Sequence, residues 1–145
     1  MTPRIAPASP ELRAFYSARS GWRGAGDERM RLRRAAGLAR VRPGARVLDV
    51  GCRDAGLKAF LPADVRYQGV DIAPEFAGPD ILIRDVSEGL PFPDASFDYV
   101  FSIEALEHVP APFTALSEAH RVLTPGGVLV VSVPNPYHVK EIIWN

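Results

Sequence analysis

One cysteine, Cys52, is the whole thiol complement of this 145-residue chain, so it can hold neither an internal disulfide nor a zinc site built from several cysteines. No apolar run approaches the roughly 18 residues that a membrane-crossing helix needs. The first ten residues carry Pro3, Pro7 and Pro10 but no apolar leader core, so no secretory signal, no membrane contact and a cytoplasmic location are expected. Net charge is also lacking, with 17 basic residues against 17 acidic ones. The phosphate-binding pattern G-x-G-x-x-G of dinucleotide folds is absent as well.

What is present is an ordinary globular composition, 47% apolar and 23% charged, in a length that suits one domain with a continuous core. The charge is unevenly spread: residues 1–46 hold 11 basic and 3 acidic side chains, the remainder 6 and 14. Because 15 of the 17 cations are arginine, a solvated arginine-rich helix face accounts for the asymmetry, and a nucleic-acid partner is disfavoured. Cys52, inside a tight turn, reads as a small packing residue rather than a nucleophile.

Residues 1–26 form an N-terminal segment, expected to be partly mobile, with a short helix over 11–19 broken by the glycines before residue 27. From 27 to 145 runs the core. Asp27 is a plausible cap for a helix to about Arg40, with Met30, Leu32, Ala35, Ala36, Leu38 and Ala39 as its apolar contacts. Strands and helices then alternate. Strands are expected at 46–50, 67–71, 80–84, 97–103 and 128–133, helical segments at 56–60 and 112–123, and turns at Pro43-Gly44 and 124–127. This is the pattern of an α/β protein, a doubly wound, Rossmann-like and mostly parallel sheet in three αβα layers, with its ligand at the carboxyl ends of the strands. Val139, Ile142, Ile143 and Trp144 look like the start of another apolar helix face just before Asn145. Either the core is short of its last strands, or these residues pack on a partner, a second copy included.

Three acids fall at strand ends: Asp49, Asp71 and Asp85. A carboxylate closing the second strand, about 20 residues after a glycine turn, suits the two hydroxyls of a ribose. Equally, each acid could merely cap the segment that follows.

Taken together, VLDVGCRDAG, YQGVDIAP, GLPFPDASFDYVFSIEALEHV and RVLTPGGVLVVSVPNP, over residues 46–136, resemble the class I S-adenosylmethionine-dependent methyltransferases of the broad small-molecule (UbiE-like) group. The resemblance implies S-adenosyl-L-methionine as cofactor, S-adenosyl-L-homocysteine as product, and transfer to an oxygen or nitrogen, less readily a carbon, of a small molecule, saccharide or lipid. It places Asp49 by the turn and the methionine amino group, with Gly51, Cys52 and Arg53 along the methionine moiety. Asp71 would take the ribose hydroxyls with Ile72 against the adenine, Asp85 and the Val86 backbone the adenine edge, and Ser102 and Ile103 the sulfonium side. Where the family writes acid-x-Gly-x-Gly-x-Gly, this chain has Asp49-x-Gly51-x-Arg53-x-Ala55 and then Gly56; an arginine fits the middle position if its φ is negative and its side chain points to solvent, and the alternative is that Arg53 crowds the ligand and weakens binding.

On a helical turn Glu104, Glu107 and His108 could share one face. Some relatives use a similar E-x-x-E-H to hold a divalent metal beside the acceptor, and His138 could complete such a set. Metal-free relatives carry the same letters, and the metal is the less favoured reading. His108 is then the candidate base, needed only where the acceptor must lose a proton. A cofactor- or partner-binding domain without catalysis is the alternative.

Overall fold

A computed structural model describes Pro10 and residues 25–134 of the chain; the expected helix over 11–19, His138 and the apolar residues from Val139 to Trp144 lie outside the described residues. Five strands, β1 (Arg46–Val50), β2 (Arg66–Asp71), β3 (Ile81–Ile83), β4 (Phe97–Ile103) and β5 (Leu123–Ser132), form one sheet in the order β3-β2-β1-β4-β5, every pairing parallel. The chain therefore winds outward from β1 to β3, returns, and continues from β4 on the other side of β1. Such a reversal leaves a crevice beyond the carboxyl ends of β1 and β4, because the connections there diverge.

Side chains alternate across the sheet, so each strand feeds two cores. One face joins Leu48, Val70 and Val100 to Ala115, Ala119 and Val122 of helix α2 (Pro112–Val122), spaced i, i+4, i+7 as an amphipathic helix requires. The other joins Val47, Tyr99 and Phe101 to Ala35 and Ala36 of helix α1 (Ala25–Ala39), with Leu32 and Ala39 packed beside them. Helices on both faces make the expected three layers. Leu48, Val100, Phe101 and Val122 are wholly buried, each stabilising the fold by about 1.5–3 kcal/mol.

Four expectations are corrected. α1 begins at Ala25, so Asp27 falls within its first turn rather than at its cap. Met30 and Leu38 point outward, since only the Leu32, Ala35, Ala36, Ala39 stripe meets the sheet. β3 is shorter than expected because it is an edge strand and pairs only with β2, over Gly69↔Ile81 to Asp71↔Ile83. The turn at 124–127 lies inside β5: Leu123 pairs with Phe97 and Val128 with Tyr99, so the intervening residues bulge out of the ladder, with Gly126 at φ 76°.

Register at the amino ends of β1 and β4 is pinned by charge. Arg46 donates to both carboxylate oxygens of Asp98, Nη2 to Oδ1 at 2.9 Å and the backbone N to Oδ2 at 2.8 Å. The guanidinium holds the Asp98 carboxyl below its ordinary range.

Candidate functional site

The turn leaving β1 is held by β2. Gly51 and Cys52 donate their backbone N–H groups to the Val70 carbonyl at 2.8 and 3.2 Å, and the Arg53 N–H donates to Asp71 Oδ2 at 2.8 Å. The turn has left-handed backbone at alternating positions: φ is 76° at Gly51, 49° at Arg53 and 59° at Ala55. Arg53 is thus corrected to positive φ, and its side chain is not simply directed to solvent. Its Nη1 lies 3.3 Å from Glu28 Oε1 of α1, and its guanidinium carbon 5.9 Å from the centre of the Phe76 ring. At Gly51 a side chain would have no room, because a Cβ there would overlap that of Ala105.

Asp49, at 3% exposure, accepts a hydrogen bond at Oδ2 from the Tyr67 hydroxyl, 2.8 Å away. Burial pushes its carboxyl up to about 7, with the Tyr67 hydroxyl pulling it down and the nearby Asp71 charge adding to the rise. Tyr67 was not singled out by its sequence context. The signal available is register: Val47 pairs with Tyr67 and Asp49 with Gly69, which places Tyr67 diagonally from Asp49 on the same sheet face. Gly69 also leaves space for the Cys52 sulfur, which a Cβ at residue 69 would meet. Burial raises the Cys52 thiol far above its usual range, so it packs as an unreactive thiol.

Asp71 closes β2. Its Oδ2 receives the Arg53 N–H and its Oδ1 the Ala73 N–H at 2.9 Å. Burial moves its carboxyl upward, against the pull of those backbone donors. Asp85 Oδ1 accepts from the Ser87 N–H at 2.8 Å and so caps the 3₁₀ turn Val86–Glu88.

At the end of β4 the backbone turns left-handed at Glu104, φ 51°, and Glu104 Oε1 accepts from the Ser132 hydroxyl at 2.9 Å. The helical turn that follows covers only Leu106–His108, so Glu104 does not share a helix face with Glu107 and His108. His108 Nε2 lies 3.8 Å from Glu107 Oε1. Among the described residues no three His, Cys, Asp or Glu side chains are grouped to hold a metal ion.

These elements enclose two adjoining cavities. The larger, about 590 Å³, is bordered by Gly51, Arg53, Asp71, Ile72, Asp85, Val86 and His108 among the expected residues, and by Phe76, Arg84 and Ala105, which were not expected. The smaller, about 90 Å³, is bordered by Asp49, Gly51, Cys52, Arg53 and Ile103, with Glu28 and Arg31 of α1. Ser102 borders neither; its buried hydroxyl has no partner among the described residues and lies on the α2 side of β4, whereas Ile103 reaches the α1 side. A volume of this size, acidic at strand ends and open at a glycine, accommodates a nucleoside carrying a zwitterionic or cationic tail.

Residues 48–131 match the model of the methyltransferase domain family, more than half of the chain. The 2-methyl-6-phytyl-1,4-hydroquinone methyltransferase of Synechocystis sp. is 39% identical over 75% of this chain and 38% of its own length. The 27-O-demethylrifamycin SV methyltransferase of Amycolatopsis mediterranei is 34% identical over 71% of this chain and 45% of its own. A chain of the solved complex between the Haloferax volcanii Trm112 methyltransferase activator and its methyltransferase superposes with a TM-score of 0.68 at 27% identity, covering 87% of this chain and 60% of that one. The chain thus spans less than half the length of these two curated relatives.

Proposed function

The chain belongs to the class I S-adenosylmethionine-dependent methyltransferases, and from that premise we propose that it binds S-adenosylmethionine and methylates an oxygen or nitrogen of a small molecule, saccharide or lipid. The observation that carries this reading is the cavity of about 590 Å³ at the switch point of the sheet, walled by Gly51 on one side and Asp71 on the other. The residues fit the cofactor: Gly51, where a Cβ would strike Ala105, lets the β1 turn pack closely at the cavity wall, and the two carboxylates at the ends of β2 and β3 suit a nucleoside.

Bound there, the cofactor supplies a methyl group activated by its sulfonium. The chain's own residues position and shield it. Asp71 offers its carboxylate to the ribose hydroxyls, and Ile72 and Val86 give the adenine apolar walls. Asp85 already spends one oxygen on Ser87, so its part at the adenine edge is shared with capping. Asp49, ionised, faces the amino-acid tail from the smaller cavity. His108, exposed at the rim with Nε2 3.8 Å from Glu107 Oε1, takes the acceptor's proton when the nucleophile is a hydroxyl. Most of the rate enhancement then comes from orientation and exclusion of water.

A second reading, a domain that binds cofactor or a partner without catalysing transfer, uses the same cavity. Methyl transfer from labelled S-adenosylmethionine to a panel of hydroxylated and amine acceptors separates the two, since binding without turnover supports the second. Asp71→Ala should weaken S-adenosylhomocysteine binding at least about tenfold, a lost charged hydrogen-bond pair. An unchanged affinity would remove Asp71 from the ribose contact.

A further inference from the structure

Three residues border both cavities: Gly51, Arg53 and Glu104. A cofactor with its adenosine in the larger cavity must pass its amino-acid tail across this junction. The junction carries one residue without a side chain, one cation and one anion. Elsewhere the site is acidic, with Asp49, Asp71 and Asp85 buried around it, and an acidic lining welcomes an ammonium but repels a carboxylate. Of the arginines bordering the cavities, Arg84 donates Nε and Nη2 to the Gly89 and Glu88 carbonyls at the far end, 3.1 Å each, and Arg31 touches only the smaller cavity. Arg53 alone of the three stands at the junction.

Resting on the cofactor reading above, we propose that the Arg53 side chain recognises the α-carboxylate of the cofactor's amino-acid tail, making this chain selective for adenosyl ligands that carry one. A guanidinium presents paired donors that match a carboxylate. One of its partners, Glu28 at 3.3 Å, is itself a carboxylate in a partly exposed pair, a kind of contact worth little on its own. The Phe76 ring beneath the guanidinium keeps it over the site. The same choice explains a residue the backbone resists. Position 53 sits at φ 49°, where glycine would be unstrained, so an arginine there costs conformational energy that a side-chain function offsets.

Calorimetric titration of S-adenosylhomocysteine and of 5′-methylthioadenosine, which keeps the adenosine and thioether but lacks the amino-acid tail, tests the assignment. Arg53→Gln should lose about tenfold on S-adenosylhomocysteine with 5′-methylthioadenosine unchanged, and Arg53→Lys should recover part of the loss. Arg53→Gly, which suits the backbone, guards against a folding defect and should show the same selective loss. Equal losses on both ligands, or no loss on either, overturn the proposal while leaving the cofactor site standing. A wild-type chain that binds neither ligand overturns the cofactor reading and this proposal with it.

Discussion

Replacing Ala55 by glycine should make the protein more stable, although it removes a methyl group next to the core. Ala55 is held at φ 59°, ψ 31°, where the Cβ of an L-residue crowds the following carbonyl oxygen. That conformation costs roughly 1–2 kcal/mol, which glycine does not incur. Against this stand about 0.4–1 kcal/mol for the greater freedom of glycine in the unfolded chain and about 0.3 kcal/mol for a partly buried methyl, less than half of a full methylene. The balance is a gain of about 0.5 kcal/mol, which raises the melting temperature by about 2 °C for a domain of this size. Ala59, an exposed neighbour in the 3₁₀ turn Gly56–Phe60, is absent from the left-handed residues and serves as the control. Ala59→Gly should destabilise by about 0.5–1 kcal/mol. Thermal unfolding followed by circular dichroism and calorimetry reads both variants. If Ala55→Gly lowers the melting temperature as Ala59→Gly does, the strain assigned to this turn is wrong.

The remaining predictions concern the same site and its supports. Asp49, pushed up to about 7, must lose its proton before it can face an ammonium, so S-adenosylhomocysteine affinity should rise with pH toward 7 and level off above it. The ligand-free protein has the opposite dependence from this group: the folded state holds the proton more tightly than the unfolded chain, so its contribution to stability is present below pH 4 and is lost as pH rises through about 7. Tyr67→Phe removes the hydroxyl that favours the ionised form and should move the affinity midpoint upward; an unmoved midpoint would dissociate Tyr67 from Asp49. Gly51→Ala, at φ 76° with its Cβ against Ala105, should cost about 1–3 kcal/mol and abolish cofactor binding, read by denaturation and titration together. Arg121 donates to the Leu90 and Phe92 carbonyls at 2.9 and 2.8 Å and to Asp94 and Glu118, tying the loop before β4 to α2. Arg121→Ala should lower stability by about 1–2 kcal/mol and speed amide exchange between residues 89 and 96; unchanged exchange would show that the loop is held by other contacts.

Central strands were legible because their apolar runs end at strong punctuation. β1 and β4 have the bounds expected, since Pro43-Gly44 and Gly51 frame the first and Pro93 to Ser96 precedes the second. Edges were not, because a strand with one neighbour ends where its partner does: β3 keeps three residues, and β5 gains the bulged segment only through the Phe97↔Leu123 pairing. In the candidate site, Asp49, Gly51 and Asp71 border the cavities at the strand ends where the sequence placed them. The left-handed backbone of Arg53, Ala55 and Glu104 was not legible, as all three residue types favour negative φ, and the backbone bonds that accompany it, from Arg53 to Asp71, from Ala55 to the Cys52 carbonyl and from Glu104 to Ser132, are not visible in local sequence. Nor was the contact of Arg53 with Glu28 and Phe76, which joins segments that local patterns treat separately. Spacing alone suggested one face for Glu104, Glu107 and His108, and that face dissolves because the helix it assumed is a three-residue turn.

The most direct test of the central claim is an equilibrium titration of S-adenosylhomocysteine into the wild-type chain at pH 7.5 to 8, above the range where Asp49 holds its proton. Saturable binding at one site per chain, competed by S-adenosylmethionine, is the predicted result. No heat and no change in melting temperature at millimolar ligand would contradict it.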